Sequence, residues 1–208
     1  MAGVAGYNAS IKKSGTSTAF TDEATTNTAG NTWQISDSVK EVWNRNTLPT
    51  FKDNTVSIPA GDIQSIDYLY GKVTFTGSKT GPITVSGDYM PMAEVAGAKD
   101  ASLNRTSAIL DDTDTGNTGY HTKVSGLHDA SVTLGRFDDI THTFTDIINN
   151  RTPIVIEIAP TTNKSYRGWF ISESSGQNLD LNALIDESIT FQLDGDDETG
   201  KTFSRSDA

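Results

Sequence analysis

The chain of 208 residues carries a formal net charge of −11, from 27 acidic and 16 basic residues, and contains no cysteine. The absence of cysteine excludes disulfides, thiol catalysis and cysteine-ligated zinc, and the acidic balance argues against a surface that binds nucleic acid phosphates. Hydrophobic residues make up 35% of the chain and glycine contributes 18 residues, which is typical of a domain with many turns and wet sheet faces.

The first third of the chain predicts an arm followed by short strands. Residues 1–30 are polar and rich in Gly, Ala and Thr, so we expect an arm or edge segment held by a few apolar anchors. Trp33–Ile35 and residues 51–59 are predicted strands, and a proline ends the second. Residues 38–43 fit either a helical turn or a strand, and the sequence leaves both open.

Apolar and polar residues alternate in two consecutive segments, 66–77 and 82–89, which are separated by a Ser-Lys-Thr-Gly turn. This period of two predicts a β hairpin with one buried face and one wet face. The buried face is predicted to contain Leu69, Val73, Phe75, Ile83, Val85 and Tyr89. The wet face is predicted to contain Thr74, Thr84, Ser86 and Asp88.

A long polar stretch follows the predicted hairpin. Residues 96–125 are rich in Asp, Thr, Asn and Gly and offer few apolar anchors. A polar loop of this length inside a compact domain is usually functional or disordered. We therefore predict an interaction loop here.

The second half of the chain predicts four strands and one helix. The strands are expected at residues 129–137, 153–160, 166–173 and 186–193. Between the first two, four apolar residues at i, i+4, i+7 and i+8 form one stripe: Ile140, Phe144, Ile147 and Ile148. This stripe predicts an amphipathic helix at about 139–150, capped by Asp138 or Asp139.

No motif for catalysis, metal binding or cofactor binding stands out. The histidines share no ligand spacing, and Asp112-Thr-Asp-Thr-Gly departs from the EF-hand pattern in its glycine and its missing twelfth-position glutamate. A nucleophile elbow, a P-loop and a dinucleotide fingerprint are all missing from the sequence. The sequence therefore predicts a protein that is not an enzyme and that holds no cofactor or metal.

The sequence also bears on location. No apolar run approaches the roughly 18 residues of a membrane span, and the first residues lack the basic start and apolar run of a secretory signal. We expect synthesis and folding in a cytoplasm, without membrane insertion.

Eight segments follow one another in an informative order. They are Phe20-Thr-Asp-Glu-Ala-Thr-Thr, Trp33-Gln-Ile, Ile66-Asp-Tyr-Leu-Tyr-Gly-Lys-Val, Pro82-Ile-Thr-Val-Ser-Gly-Asp-Tyr, Gly126-Leu-His-Asp-Ala-Ser-Val, Pro153-Ile-Val-Ile-Glu-Ile, Arg167-Gly-Trp and Glu187-Ser-Ile-Thr-Phe-Gln. The ordered set resembles the tail tube (major tail) proteins of long-tailed bacteriophages, over about residues 3–195. No single segment is diagnostic, but their order is fairly specific.

The resemblance implies a mostly β fold of two packed sheets, a β-sandwich or flattened barrel, with one flanking α-helix. The subunits would form six-membered rings with a shared inner β-barrel, and the rings would stack into a tube through which the genome leaves for the host cell. The domains implied are an N-terminal arm at 1–30, a tail-tube sandwich at 31–195 and an acidic C-terminal tail at 196–208. The location implied is the virion tail, after synthesis in the host cytoplasm.

The partners implied are further copies of the chain and other tail proteins, namely the tape measure, the terminator and the tail tip. Double-stranded DNA would pass through the tube without specific binding, because an acidic or neutral bore holds phosphates nowhere. The candidate lumen-facing residues oppose the apolar sheet face: Thr74, Thr84, Ser86, Asp88 and Glu157. The candidate inter-ring loop contains Asn104, Arg105, Asp111, Asp112, Asp114 and Tyr120.

One alternative comes from a different class of protein. A monomeric β-sandwich binding module, or another phage structural protein such as a decoration or baseplate protein, would use aromatic residues on a sheet face. Trp169 is the residue expected to contact a sugar or protein partner in that case.

Overall fold

Strands dominate the part of the chain that the structure describes. The computed structural model describes residues 9–111, 123–137, 144–161, 164–178, 185–195 and 203–207. Its strands, in chain order, are β1 (Ser10–Ser14), β2 (Thr18–Ala29), β3 (Thr32–Ile35), β4 (Thr50–Asp53), β5 (Val56–Ser57), β6 (Ile63–Asp67), β7 (Lys72–Phe75), β8 (Ile83–Tyr89), β9 (Met92–Glu94), β10 (Ala98–Asp111), β11 (Lys123–Phe137), β12 (Ile154–Thr161), β13 (Lys164–Asn178), β14 (Asp186–Leu193) and β15 (Phe203–Asp207). The helical elements are α1 (Thr145–Asn150) and two 3-10 helices, Ser38–Lys40 and Ala60–Asp62.

The chain divides into two compact units. The first is built from Met1–Val95, Ile154–Trp169 and Asp194–Ala208, and the second from Ala96–Pro153 and Phe170–Leu193. Strand β13 therefore begins in the first unit and ends in the second.

Two antiparallel sheets form the first unit. One sheet has the strand order β5-β4-β8-β2-β3-β7-β6, and the other contains β13, β12, β1 and β9, with β15 paired to β13. Alternate side chains of the seven-stranded sheet point into an aromatic-rich core, which includes Phe51, Val73, Phe75, Ile83 and Val85. A second cluster joins Leu69 and Tyr70 to Val155 of β12 and Trp169 of β13. The predicted mostly β fold, with two packed sheets and a helix, is confirmed.

The predicted pairing of residues 66–77 with 82–89 is wrong. The chain reverses between β6 and β7, which pair with each other, because the backbone of Leu69 donates to Asp67 Oδ1 and Gly71 adopts a φ of +56°. Strand β7 then pairs with β3, while β8 pairs with β2 and β4. The turn between β6 and β7 contains bulky apolar residues like those of a strand, so the alternating pattern does not show where the chain reverses.

The predicted N-terminal arm is wrong for residues 10–29, which form β1 and β2. Strand β1 pairs with β12 and β9, and β2 lies between β8 and β3. Alternation fails in β2 because a bulge at Asp22, with φ 51°, adds a residue between Phe20 and Glu23. Residues 1–8 lie outside the described residues.

The open alternative at residues 38–43 resolves into a short helical turn. The 3-10 helix Ser38–Lys40 begins after Asp37, whose carboxylate accepts a hydrogen bond of 3.0 Å from the Val39 amide. Trp43 then lies buried and forms a bridge with Tyr89.

The second unit is built around β10, β11, β14 and the end of β13. Its buried apolar residues include Val132, Leu134, Ile189 and Phe191. Phe144, directly before α1, lies with its ring centroid 5.9 Å from that of Phe191. The predicted caps of the helix, Asp138 and Asp139, lie outside the described residues.

The predicted polar loop at 96–125 is wrong for its described part. Ala98–Asp111 form β10, and Lys123 begins β11. Main-chain pairing holds the two strands in register, and most described side chains in their outer part are exposed, so the low apolar content concealed two long strands. The predicted acidic tail likewise contains β15. Residues 112–122 and 196–202 lie outside the described residues.

Among the described helices, none has the length and apolarity needed to cross a membrane.

We expect Gly71→Ala to lower the free energy of unfolding by about 2–4 kcal/mol, measured by urea denaturation. A Cβ at this position would lie 2.7 Å from the Ile35 side chain and 2.9 Å from the Glu41 carbonyl, in a left-handed conformation. The matched control is Gly61→Ala, whose Cβ would meet nothing within 4 Å, so its stability should stay within about 0.5 kcal/mol of wild type. Equal stability of the two variants would contradict this account of the turn.

Candidate assembly surfaces

Four of the five candidate lumen residues lie on one face of the seven-stranded sheet. In the register, Thr84 is paired with Ala24 of β2, and Thr26 with Gln34 of β3. Thr32 of β3 is paired with Thr74 of β7. The side chains of Thr74 and Thr84 therefore lie on the same side of the sheet. We call this surface the polar face; its described members include Thr26, Thr32, Thr50, Lys52, Thr74, Thr84, Ser86 and Asp88.

Hydrogen bonds within the subunit occupy much of the polar face. The hydroxyls of Thr32 and Thr74 lie 2.9 Å apart. The amide of Asp22 donates to Ser86 Oγ over 2.8 Å. The side chains of Thr74, Thr84, Ser86 and Asp88 are half-buried. The face is therefore an ordered hydroxyl-bearing surface rather than a set of mobile side chains.

The charges of the polar face are balanced. Lys52 Nζ lies 2.7 Å from Asp22 Oδ1, and this hydrogen bond lowers the pKa of Asp22. Lys72, on the same side, is paired in register with Asp67, and Asp88 adds a negative charge. The described part of this surface has no surplus of positive charge.

The fifth candidate, Glu157, lies elsewhere. It is on β12 in the other sheet of the first unit, where it is 4% exposed and forms an ion pair with Arg167. Lys12 Nζ lies 3.6 Å from the same carboxylate. The structure places Glu157 apart from the polar face, and its carboxylate is paired with Arg167 and Lys12 inside the first unit.

Arg167 is the centre of this buried charge cluster. Its guanidinium donates to Glu157, to Glu41 over 2.8 Å and to the Leu69 carbonyl over 3.0 Å, and it lies 4.8 Å from the centroid of the Tyr70 ring. Burial alone would lower the pKa of Arg167, but the charges of Glu157 and Glu41 raise it overall. Burial also raises the pKa of Tyr70. Sequence reasoning assigned Arg167 no role, and the available signal was its place in the segment Arg167-Gly-Trp.

Three of the candidate inter-ring residues lie on a long hairpin instead of a loop. Asn104, Arg105 and Asp111 are exposed on β10, which pairs with β11 along its length. Strand β11 pairs with β14 only over Ser131–Phe137. Asp112, Asp114 and Tyr120 lie outside the described residues.

The outer part of this hairpin extends beyond its own sheet. Arg105–Asp111 and Lys123–Ala130 pair only with each other among the described strands. We call these two segments the hairpin extension. At about 3.4 Å per residue it is roughly 25 Å long. A two-stranded ribbon of this kind is marginally stable in water without packing against a further surface.

Ile109 on the hairpin extension is one of the few apolar anchors that the sequence offers between residues 96 and 125. It is 67% exposed. The register advances from Ser107–His128 to Ile109–Ser125, so the bulge adds a residue to β11 and leaves the alternation of β10 unchanged. Ile109 therefore continues the side of β10 that holds Leu103, and its apolar character was the available signal.

The tryptophans are positioned as core residues. Trp43 and Trp169 are 1% and 3% exposed. Trp33 is half-buried against the aromatic core. The guanidinium of Arg45 covers the Trp169 ring at 4.6 Å. The alternative of a binding module thus loses the contact residue predicted for it.

Within the described residues, no group of three or more His, Asp or Glu side chains is arranged to hold a metal ion.

Comparison with known proteins gives distant structural likenesses only. No family model matches the chain, and no curated protein matches it. The tail of an empty gene transfer agent (GTA) particle, computed with helical refinement in C6 symmetry, is 12% identical over 57% of this chain and 87% of that chain, with a TM-score of 0.47. A chain of the virion of a native GTA particle is 14% identical over 56% of this chain and 88% of that chain, with a TM-score of 0.46. Likenesses this distant are not evidence of function.

We expect Arg167→Met to lower the free energy of unfolding by about 3–5 kcal/mol, because it leaves the buried carboxylate of Glu157 without its main partner. Chemical denaturation, monitored by tryptophan fluorescence, measures this loss of stability. The double variant Arg167→Met/Glu157→Gln removes the charge as well and should recover part of it. Equal losses in the single and the double variant would contradict the role of this pair.

Proposed function

We propose that this chain is a tail tube protein, a structural virion protein that polymerises as stacked hexameric rings into the tube of a phage tail. The tube is the conduit for genome ejection into the host cell. The ordered sequence segments between about residues 3 and 195 support this assignment, and the two-sheet fold of the first unit is compatible with it.

The observation that carries the proposal is the hairpin extension. It places an apolar side chain, Ile109, on a ribbon that its own sheet leaves uncovered. Burying such a side chain contributes about 1.5–3 kcal/mol, and a further subunit is the simplest source of the covering surface. The extension is therefore assigned to contacts between successive rings, with Arg105 and Asp111 at its exposed surface and Asn104 next to it on β10.

Strand edges in the first unit support ring formation. The seven-stranded sheet ends in β5 on one side and in β6 on the other. Strand edges present unpaired main-chain groups, which soluble monomers normally protect. A closed head-to-tail ring pairs such edges between neighbours and removes them from solvent.

The polar face is assigned to the bore. Its hydroxyls are bonded within the subunit, and Lys52 is neutralised by Asp22. Duplex DNA carries one negative charge per roughly 1.7 Å, so cations along a bore would retain it at many points. A surface without surplus positive charge lets DNA slide. Glu157 is left out of this assignment because it is buried in an ion pair.

The remaining expectations follow from the same proposal. The subunit would be located in the virion tail and would contact the tape measure, the terminator and the tail tip. It would have a structural role without catalysis.

Negative-stain electron microscopy of the purified, concentrated protein tests the proposal. Hollow tubes or rings of uniform width are the expected result. Monomers that stay monomeric, both alone and when incubated with preformed tail tips, would refute it.

We expect Ile109→Asp to leave the subunit folded and to abolish tube formation, because a charge at this position cannot be buried between rings. The readout is the fraction of protein pelleted by ultracentrifugation, with thermal unfolding as the check on folding. The matched control is Val39→Asp, at a position that is 64% exposed in the 3-10 helix Ser38–Lys40. Equal loss in both variants would contradict a specific role of the extension.

Two shortened hairpins test whether the paired strands or residues 112–122 make the contact between rings. Thr106 is paired with Asp129, and Asp111 with Lys123. Replacing residues 107–128 by Asn-Gly gives a two-residue turn that keeps the base of the hairpin, and this variant should fold without forming tubes. Replacing only residues 112–122 by Asn-Gly keeps both strands. Tube formation by this second variant would assign the contact between rings to the paired strands, and its loss would assign the contact to residues 112–122.

We expect tubes of the double variant Thr84→Lys/Ser86→Lys to retain duplex DNA, because they add two cations per subunit to the polar face. Co-sedimentation of a labelled duplex should be strong at about 50 mM salt and weak at about 200 mM. Wild-type tubes should leave the duplex in solution. The control Val39→Lys/Leu48→Lys adds the same charge at positions 64% and 60% exposed; equal retention there would show that charge alone decides.

A further inference from the structure

Strand β15 occupies one edge of β13 in the first unit. Phe203–Asp207 pair antiparallel with Lys164–Gly168, from Gly168–Phe203 to Lys164–Asp207. Among the described strands, β15 pairs with no other. The rings of Tyr166 and Phe203 stack with centroids 6.2 Å apart and planes within 16°. The edge at Lys164–Gly168, which we call the acceptor edge, is thus built to take a short strand with an aromatic anchor.

The chain enters this region from a fixed point. The amide of Asp194 donates to the Trp169 carbonyl over 2.8 Å. Arg45 forms an ion pair with the Asp194 carboxylate and lies 4.6 Å from the centroid of the Trp169 ring. The backbone hydrogen bond and the ion pair with Arg45, whose side chain is 11% exposed, hold residue 194 beside Trp169, the last residue of β13 in the first unit.

The connection to β15 is much longer than its own subunit requires. It starts beside Trp169, at Asp194, and ends at Phe203, which is paired with Gly168. Eight residues, 195–202, therefore join two points that lie at neighbouring positions of one strand. Fully extended, this length of chain reaches about 30 Å.

We propose that the acceptor edge is an interaction site for β15 of a second copy of this chain, so that β15 is exchanged between neighbouring subunits. The partner is the same strand, held by the same register and the same aromatic stack. Exchange preserves every main-chain pair and every side-chain contact of the closed subunit, and the long connection supplies the reach. The Arg45–Asp194 pair stays in the donor subunit and marks where the exchanged segment begins.

This inference rests on the proposed self-assembly and adds the segment that links the subunits. Because Lys164–Gly168 lie at the beginning of β13, exchange would join the first unit of one subunit to the first unit of the next through a covalently continuous chain. Separation of the two subunits would then require β15 to leave its acceptor edge.

The absence of cysteine allows a direct test. Ser165 is paired with Ser206, within the Cα separation that disulfides span. One preparation carries only Ser165→Cys and the other only Ser206→Cys. The two are mixed as reduced monomers, concentrated for assembly and then oxidised, and non-reducing electrophoresis measures the disulfide-linked heterodimer. In the control mixture, Ser78→Cys, an exposed position, replaces Ser165→Cys.

Exchange predicts a heterodimer at least about tenfold more abundant than in the control mixture, because pairing in register gives the thiols an effective concentration in the mM range. Yields equal to the control in both pelleted and soluble fractions would overturn the inference. A heterodimer in solution without tubes would support exchange and count against the tail tube. Tubes without a heterodimer would leave the tail tube standing and overturn exchange.

A second variant guards against loss of folding. Ser165→Cys/Ser206→Cys in one chain closes β15 onto its own acceptor edge when oxidised, and reduction releases it. Oxidised monomers should fail to assemble and should regain assembly on reduction. Equal assembly in the oxidised and reduced states would contradict exchange, and the reduced state serves as the folding control.

Discussion

The first unit depends most on the interactions of the Arg167 guanidinium. This group extends from β13 in one sheet and binds Glu157 on the neighbouring strand of that sheet. It also binds Glu41 and the Leu69 carbonyl, which belong to the segments that flank the seven-stranded sheet. A buried cation with two carboxylates tolerates little displacement, because any separation leaves charges unpaired in a poorly solvated site. Arg167 therefore helps to hold the first part of β13, whose edge β15 occupies, in place.

Main-chain pairing is the second constraint, and it explains where the chain is exposed. Inside the sheets strands have neighbours on both sides, but β5 and β6 at the ends of one sheet, β9 and β10 at the ends of the other, and the hairpin extension leave edges or faces without a described neighbour. The strands at these places carry the apolar residues that a solitary subunit would be expected to bury, Val56 and Ile109. In the proposed assembly, the main-chain groups left unpaired at these edges would pair between copies.

The sequence predicted which side chains are buried better than which strands are neighbours. Val73, Phe75, Ile83 and Val85 were correctly assigned to the core because alternation reports the environment of each side chain. Pairing partners are fixed by main-chain geometry, so the reversal at Gly71 and the bulge at Asp22 left no periodic signal. The outer part of the β10–β11 hairpin was missed for the converse reason, since most of its described side chains are exposed. Arg167 binds a carboxylate 126 positions away along the chain, a separation that no local pattern encodes.

The hydroxyl groups of the polar face have a consequence for anything that moves along it. Thr32 bonds to Thr74, Thr26 lies 2.9 Å from Ser36 Oγ, and Ser86 accepts from the Asp22 amide. A passing molecule therefore meets groups that already have partners, and each new contact must replace an existing one at little net gain. With the polar face assigned to the bore as proposed, such a surface would bind a passing molecule only weakly without its side chains having to be apolar.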